Sequence, residues 1–253
     1  MFFSLLLTSL LTLVELNCEN LFDYRHDSLK QDFEFTPDGD RRWTRTKYWT
    51  KLNNTAKSII SCGDADGDWQ VPDLVALCEV ENDSVMHDLT KRSLLRNANY
   101  EYIMTDSPDE RGIDVALLYH PGSFAPVNHH ALRIKPADGM RPTRDILYVS
   151  GRIITGDTLH IFVVHAPSRY GGERHTRPHR KLVADRLCSA IDSLRSVCQE
   201  PKIIIAGDFN DYADSPVIMQ ICSKGMTNIS AKATGDNLSL IHISEPTRPL
   251  YIS

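Results

Sequence analysis

The sequence predicts an α/β fold of mixed sheets with helices on their outer faces, and three runs carry that expectation. Ile203-Ile204-Ile205-Ala206-Gly207-Asp208-Phe209-Asn210 is an apolar strand that ends in glycine, then an acid and an amide two residues apart. Residues 72–79 (PDLVALCE) form a second apolar strand, closing on the carboxylate of Glu79, and residues 159–165 (LHIFVVH) a third, closing on the imidazole of His165. Strands apolar along their whole length are buried on both faces, so helical layers must cover them. A buried strand with a polar tip projects that tip into a crevice, where α/β proteins commonly place chemistry.

The elements follow in order. Leu13-Val14-Glu15-Leu16-Asn17 alternates as a strand does. Trp49, Leu52, Ala56, Ile59 and Ile60 recur at helical spacing and predict a helix over 46–60. Strand 73–78 is followed by a helix over 83–97, with Val85, Leu89 and Leu94 inward. Strands are predicted at 100–104, 114–119, 145–151 and 159–165, some joined by turns at Pro121-Gly122 and Thr155-Gly156-Asp157. The longest helix spans 178–197, with Leu182, Val183, Leu187, Ile191 and Leu194 on one stripe. Strand 202–206 precedes a helix over 216–222, opened by Asp214-Ser215 and by Pro216, whose missing N–H is harmless in a first turn. No Pro-, Gly- or Ser-rich linker divides the 253 residues, and no internal repeat is evident, so a single domain is expected.

Composition is that of an ordinary globular chain, 42% hydrophobic and 24% charged. A net charge of -5 argues against a nonspecific nucleic-acid coat. Residues 141–186 nevertheless carry nine Lys or Arg against four Asp or Glu, a local surplus that is either a surface for an anionic substrate or a solvated loop and helix face. Arg141, Arg144, Arg169, Arg174 and Arg177 are the cations of interest there, because arginine makes bidentate phosphate contacts. The six cysteines form no CxxC and no zinc spacing. Asp64-Ala65-Asp66-Gly67-Asp68 opens like a calcium loop, but its twelfth position is Val75 rather than Glu, so a surface turn is expected. His129-His130 and the His175/His179 pair lack a third ligand at clear spacing and are expected in solvent.

The first fourteen residues, MFFSLLLTSLLTLV, have the apolarity of a signal-peptide core, without a basic start or a small-residue cleavage site. They are too short for a confident membrane span. Two readings stand: a shortened export signal over 1–12 running into the first strand, or a buried N-terminal strand with no targeting role.

Five segments resemble the endonuclease/exonuclease/phosphatase superfamily, the DNase I-like phosphoesterases. They are NCENLFD (17–23), LCEVE (77–81), RGIDVALLY (111–119), VHAPS (164–168) and GDFN (207–210), and they occur in the family's order across nearly the whole chain. GDFN alone is a weak signal; with an isoleucine strand before it and upstream strands ending in Glu and His it is specific. The NCENLFD start and the GDFNDYADSP segment look most like an exported group found in gut Bacteroides relatives. The resemblance implies a four-layered α-β-β-α sandwich of two mixed sheets over 13–237. It also implies export to the periplasm or beyond, a cytoplasmic location being the alternative, and a monomer.

Carried over residue by residue, the resemblance makes Glu79 the principal metal ligand and Asn17 the amide that helps order metal and phosphate. His165 becomes the histidine that contacts the scissile phosphate, Asp208 the acid that orients or deprotonates water, and Asn210 the amide that steadies the phosphate. Arg111 and Asp114 fall in a matching segment and are expected to bind or support substrate, a paired surface acid being the alternative for Asp114. Arg169 is expected to bind substrate from the basic segment. Mg²⁺ is the implied cofactor, with Mn²⁺ as alternative, and the implied reaction is hydrolysis of a phosphate ester, foremost a phosphodiester. Nucleic acid is one candidate substrate; phosphomonoesters and phospholipids are others, and a non-catalytic phosphate- or nucleic-acid-binding module is the rival class. The chemistry suits these groups. A hard divalent cation on Glu79 leaves positions for water and substrate, and Asp208 can hold a water in line. An acyl-transfer triad of Ser168, His165 and Asp208 lacks the nucleophile-elbow signature.

The family's C-terminal Ser-Asp-His is not found in the 253 residues, where the last histidine is His242 between Ile241 and Ile243. Residues 239–253, SLIHISEPTRPLYIS, resemble the translated sequencing-adapter peptide that contaminates assembled genes. A non-native tail over 238–253 and a nearly inactive chain are therefore expected; a divergent last strand is the alternative.

Overall fold

A computed structural model describes residues 11–65, 68–170, 172–232 and 239–240. Most of the apolar N-terminal segment and most of the adapter-like tail, His242 included, lie outside the described residues.

Strand β1 (Leu13–Leu21) leads through helix α1 (Arg45–Ser61) and the two-residue ladder of β2 (Asp64–Ala65) and β3 (Asp68–Trp69) to β4 (Leu74–Val80). Helix α2 (Asp83–His87) precedes β5 (Glu101–Met104) and β6 (Asp114–Tyr119). The second half holds β7 (Phe124–Leu132), β8 (Ile146–Ile153), β9 (Thr158–His165), helix α3 (Glu173–Val197), β10 (Lys202–Asp208), β11 (Asp211–Tyr212), helix α4 (Pro216–Cys222) and β12 (Ser239–Leu240).

Two mixed four-stranded sheets result, ordered β1-β4-β6-β5 and β10-β9-β8-β7. Each contains one parallel pair, β1 with β4 and β9 with β10, while its other neighbours run antiparallel. The strand periodicity of two sorts the side chains into layers. Leu74, Ala76 and Cys78 meet Leu147, Val149, Leu159, Ile161, Val163 and Ala206 in the core between the sheets. Val75 and Leu77 face the other way, onto Tyr48, Leu52, Ala56 and Ile59 of α1. Phe162 and Val164 likewise pack on Val183, Leu187 and Ile191 of α3 and on α4. The sandwich expected from the sequence is therefore built, with a helical layer outside each sheet.

Departures from the sequence reading have local causes. β7 is an edge strand carrying Pro126 and a bulge between Pro126 and Asn128, and its middle is exposed, His129 and His130 included, so it shows no apolar alternation. The helix expected over 83–97 leaves α geometry after His87, as a π turn over Asp88–Arg92 and a 3₁₀ turn over Leu94–Asn97. Thr90 and Ser93 hydroxyls donate back to the Met86 and Leu89 carbonyls there, a competition that bends helices. α3 begins at Glu173, five residues before Pro178. α4 is capped as its sequence indicates, with Ser215 Oγ accepting from the Ile218 N–H. The cysteines are free thiols, and no helix among the described residues is long and apolar enough to cross a membrane.

Candidate active site

The parallel pairs β1/β4 and β9/β10 release their C-terminal ends at one edge of the sandwich, and the polar tips meet there. On β1, Leu13 lies in the inter-sheet core, so Glu15 and Asn17 share its side. Ile204 and Ala206 on β10 do the same for Asp208, and Ile161 and Val163 on β9 for His165. Glu79 would face the helical layer by the same parity. It is turned aside by a bulge in β4 between Cys78 and Val80, at which Glu79 adopts φ 62°. A non-glycine residue in this region costs on the order of 1 kcal/mol or more, a strain that collects at functional sites.

A compact network follows. Asn17 Oδ1 accepts from the Glu19 N–H at 2.8 Å, so its Nδ2 faces the acids, donating to Asp208 Oδ2 at 3.0 Å and to Glu79 Oε1 at 3.3 Å. His165 Nε2 lies 3.6 Å from the same Glu79 oxygen, and its Nδ1 is buried without a hydrogen-bond partner among the described residues. Asp208 Oδ1 accepts from the Asn210 backbone N–H at 2.8 Å. The Asn210 side-chain amide donates to the Ala166 carbonyl at 3.0 Å. Gly207 makes this approach possible: at φ 132°, a Cβ placed on it would fall 1.9 Å from the Val164 carbonyl oxygen of β9.

The electrostatics are those of a desolvated acidic cluster edged by arginine. Burial pushes Asp208 up to about 6, with the Glu79 charge adding to it and the Asn210 and Asn17 donors opposing. Burial, then the Asp208 charge, pushes Glu15 up to about 8. His165 is held well below the ordinary imidazole range by burial, then by the charges of Arg144 and Arg111, which keeps it neutral.

Asn17, Glu79, His165, Asp208 and Asn210 are thus brought together, and the exposed Arg111 lies near enough for its charge to act on His165. Asp114 is placed differently. Its carboxylate is buried, taken up by the Thr105 and Ser107 hydroxyls at 2.5 Å each and by the Ser107 N–H at 3.1 Å. Arg169 stacks its guanidinium over the Tyr212 ring, 4.1 Å from the centroid. Arg144 is buried rather than a surface cation, donating to Asp109 Oδ2 at 3.2 Å and to the Ala166 carbonyl at 3.0 Å, the oxygen it shares with Asn210. Glu81 accepts from the Asp23 N–H at 2.6 Å, while Asn82 caps α2. Sequence reasoning missed Glu15, although period two from Asn17 places it on the same side. It also missed the burial of Arg144, which no local pattern announces. Among the described residues, no group of three or more His, Cys, Asp or Glu side chains is arranged to hold a metal ion.

The sequence profile of the Endonuclease/Exonuclease/phosphatase family matches residues 12–242, nearly the whole chain. The chain belongs to that family. Membership makes it a protein of a hydrolase fold whose members are nucleases and phosphoesterases. Solved structures of the same fold include a mannosyl-6-phosphatase of Bacteroides thetaiotaomicron, 18% identical with a TM-score of 0.58 over 85% of this chain and 71% of that one. A Bacteroides thetaiotaomicron endonuclease/exonuclease/phosphatase family protein gives 18% and 0.57, over 85% and 67%. D. rerio TDP2 complexed with single strand DNA product gives 14% and 0.51, over 87% and 66%. At these identities the likeness is one of fold. The chain spans 56% of the length of the human Nocturnin catalytic domain and 48% of TDP2 from C. elegans. No curated protein matched by sequence.

Proposed function

We propose that this family member is a Mg²⁺-dependent phosphoesterase, with Mn²⁺ as alternative, that hydrolyses a phosphate ester, foremost a phosphodiester, by in-line attack of water. The observation that carries the reading is the Asn17 amide standing between the Glu79 and Asp208 carboxylates at the mouth where the two parallel strand pairs end. The donor set suits the ion. Glu79 supplies hard oxygens, and Mg²⁺ takes one or two carboxylates while keeping several waters, so a closed cage is not required. Glu79 would hold the cation, while Asn17, expected to help order it, has its Oδ1 taken by the Glu19 N–H and would act through Nδ2 by orienting the Glu79 carboxylate. A cation held there would supply neutralisation of charge on the non-bridging phosphate oxygens.

The chain's own residues do the rest. Asp208, poised at about 6, orients a water and takes its proton. Asn210 keeps one amide hydrogen for the phosphate while the other is committed to Ala166. Neutral His165 donates to a phosphate oxygen, and Arg111 draws the anion in. Arg169 is the substrate contact farther out, and Asp114 supports the site by ordering residues 105–114.

A nuclease-like diesterase is favoured over a phosphatase or phospholipid diesterase, because the exposed Arg111 and the partly exposed Arg169 offer cations at more than one point. A phosphate-binding module without turnover is the rival. The reading extends to a monomer exported to the periplasm or beyond, which gel filtration and cell fractionation test.

The deciding experiment assays bis-p-nitrophenyl phosphate, a monoester, single-stranded DNA, RNA and a choline phospholipid with Mg²⁺ and with EDTA, alongside Asp208→Asn. Mg²⁺-dependent turnover lost in Asp208→Asn supports the proposal. Turnover that survives EDTA, or none together with tight phosphate binding, overturns it in favour of another chemistry or the binding module.

A further inference from the structure

Downstream of Gly207 the chain continues to alternate. Asp208 and Asn210 turn to the site, while Phe209 turns back into the helical layer and packs against the cluster formed by Val183, Leu187, Val217 and Ile218. Asp211 turns back as well, 2% exposed, into the same layer. It is met there by Arg180 of α3, the bulkiest fully buried side chain among the described residues, at 0% exposure. Arg180 Nε donates to Asp211 Oδ2 at 2.9 Å, and Nη1 to Thr176 Oγ1 at 2.8 Å one turn earlier. Asp211 Oδ1 accepts from the Tyr212 N–H at 3.0 Å. Arg180 stands where the apolar stripe of Val183, Ala184, Leu187 and Ile191 would continue toward the helix N-terminus.

An apolar residue would fill that place with no desolvation penalty, and replacing a buried ion pair by well-packed apolar residues is often neutral or stabilising. What an apolar pair cannot do is fix one direction. Two charged groups joined by a directional hydrogen bond set the distance and angle between α3 and the backbone at Asp211, one residue beyond Asn210. Asn210 itself sits at φ 50°, in the left-handed region that asparagine tolerates, so the chain reverses direction between Asp208 and Asp211.

We propose that the buried Arg180–Asp211 pair is a strut that positions Asp208 and Asn210, and that Arg180 is therefore a positioning residue for the hydrolytic site though it touches no substrate. The inference rests on the reading that Asp208 and Asn210 serve the reaction, but the strut itself is testable without turnover.

The test uses the full chain with Arg180→Lys, Arg180→Met, Asp211→Asn and the double variant Arg180→Met/Asp211→Leu. Three quantities are read: thermal midpoint, hydrogen exchange of the Asn210 backbone amide that donates to Asp208, and kcat with KM on a diester in Mg²⁺. The single truncations are expected to melt lower, and the double variant to recover the parent midpoint. The Asn210 amide nevertheless exchanges at least about tenfold faster in the double variant, and kcat falls about 100-fold with KM within about threefold. Arg180→Lys, which keeps the charge but not the fork, recovers part of both. If the double variant regains stability together with parental Asn210 protection and kcat, the pair is only packing and the proposal fails. If no variant, parent included, turns over a diester but Asn210 protection falls as stated, the strut stands and the hydrolase reading fails instead.

Discussion

Asn17 and Asp208, 191 residues apart in sequence, are joined by a 3.0 Å hydrogen bond that ties the first strand of one sheet to the last long strand of the other. The same amide group serves Glu79, so one neutral side chain separates two carboxylates that would otherwise confront each other.

Replacing that separator by a third acid tests its role. Asn17→Asp is expected to destabilise the metal-free protein by about 1–3 kcal/mol, because two acceptors lose their donor and a like charge is added. Added Mg²⁺ is expected to raise the melting midpoint of the variant more than that of the parent. A variant that melts like the parent with and without Mg²⁺ would falsify this account of the amide.

Glu79 carries the complementary prediction. Its φ of 62° is a conformation glycine adopts freely. Glu79→Gly relieves strain of roughly 1 kcal/mol and removes the charge that faces Asp208, so the metal-free variant is expected to melt no lower than the parent. Mg²⁺ should then add nothing to its stability. A marked fall in the melting midpoint would show that the Glu79 contacts outweigh the backbone strain.

Asp114, paired across the sheet with Val80 beside Glu79, gives a pH dependence of its own. Burial raises its folded pKa from 3.8 to about 6. Between those values the folded chain keeps a proton that the unfolded chain has lost, so the contribution is full below 3.8 and disappears as pH rises through about 6. The size is on the order of a few kcal/mol. Asp114→Asn keeps an acceptor for Thr105 and Ser107 and has no proton to lose. Urea denaturation from pH 4 to 7 should show the parent losing stability relative to the variant as pH rises; parallel profiles would refute the assignment.

Gly207 admits no side chain. Gly207→Ala sets a methyl against the Val164 carbonyl oxygen, 1.9 Å away, at a φ of 132°. A loss of at least about 3 kcal/mol is expected in urea denaturation, or failure to accumulate folded protein. A loss below about 1 kcal/mol would mean that β9 and β10 separate more easily than their pairing indicates.

Much of this was legible because buried parallel strands advertise themselves. The runs before Glu79, His165 and Asp208 are apolar at successive positions, so their ends, and the groups at those ends, could be read from local pattern alone. β7 could not, since an edge strand with one exposed face, a proline and a bulge carries no such pattern. The break in the helix after His87 depends on hydroxyls bonding back to carbonyls, a choice of rotamer rather than of composition. Arg144 and Arg180 counted as surface charge by type. Each is buried because a distant acid, Asp109 or Asp211, waits for it, and partners 35 and 31 positions away leave no trace in a short window.

The mirrored arrangement of the two sheets, each with a single parallel pair at the same end, means that neither half of the polypeptide owns the candidate site. Asn17 and Glu79 come from one half, His165 and Asp208 from the other, and they face each other only while the layers are docked. A ligand held there is gripped from opposite sides, like a bolt through two plates. Its occupancy reports on the docking of the plates, and a fault far from it that lets them slide erases the centre without touching any of its residues.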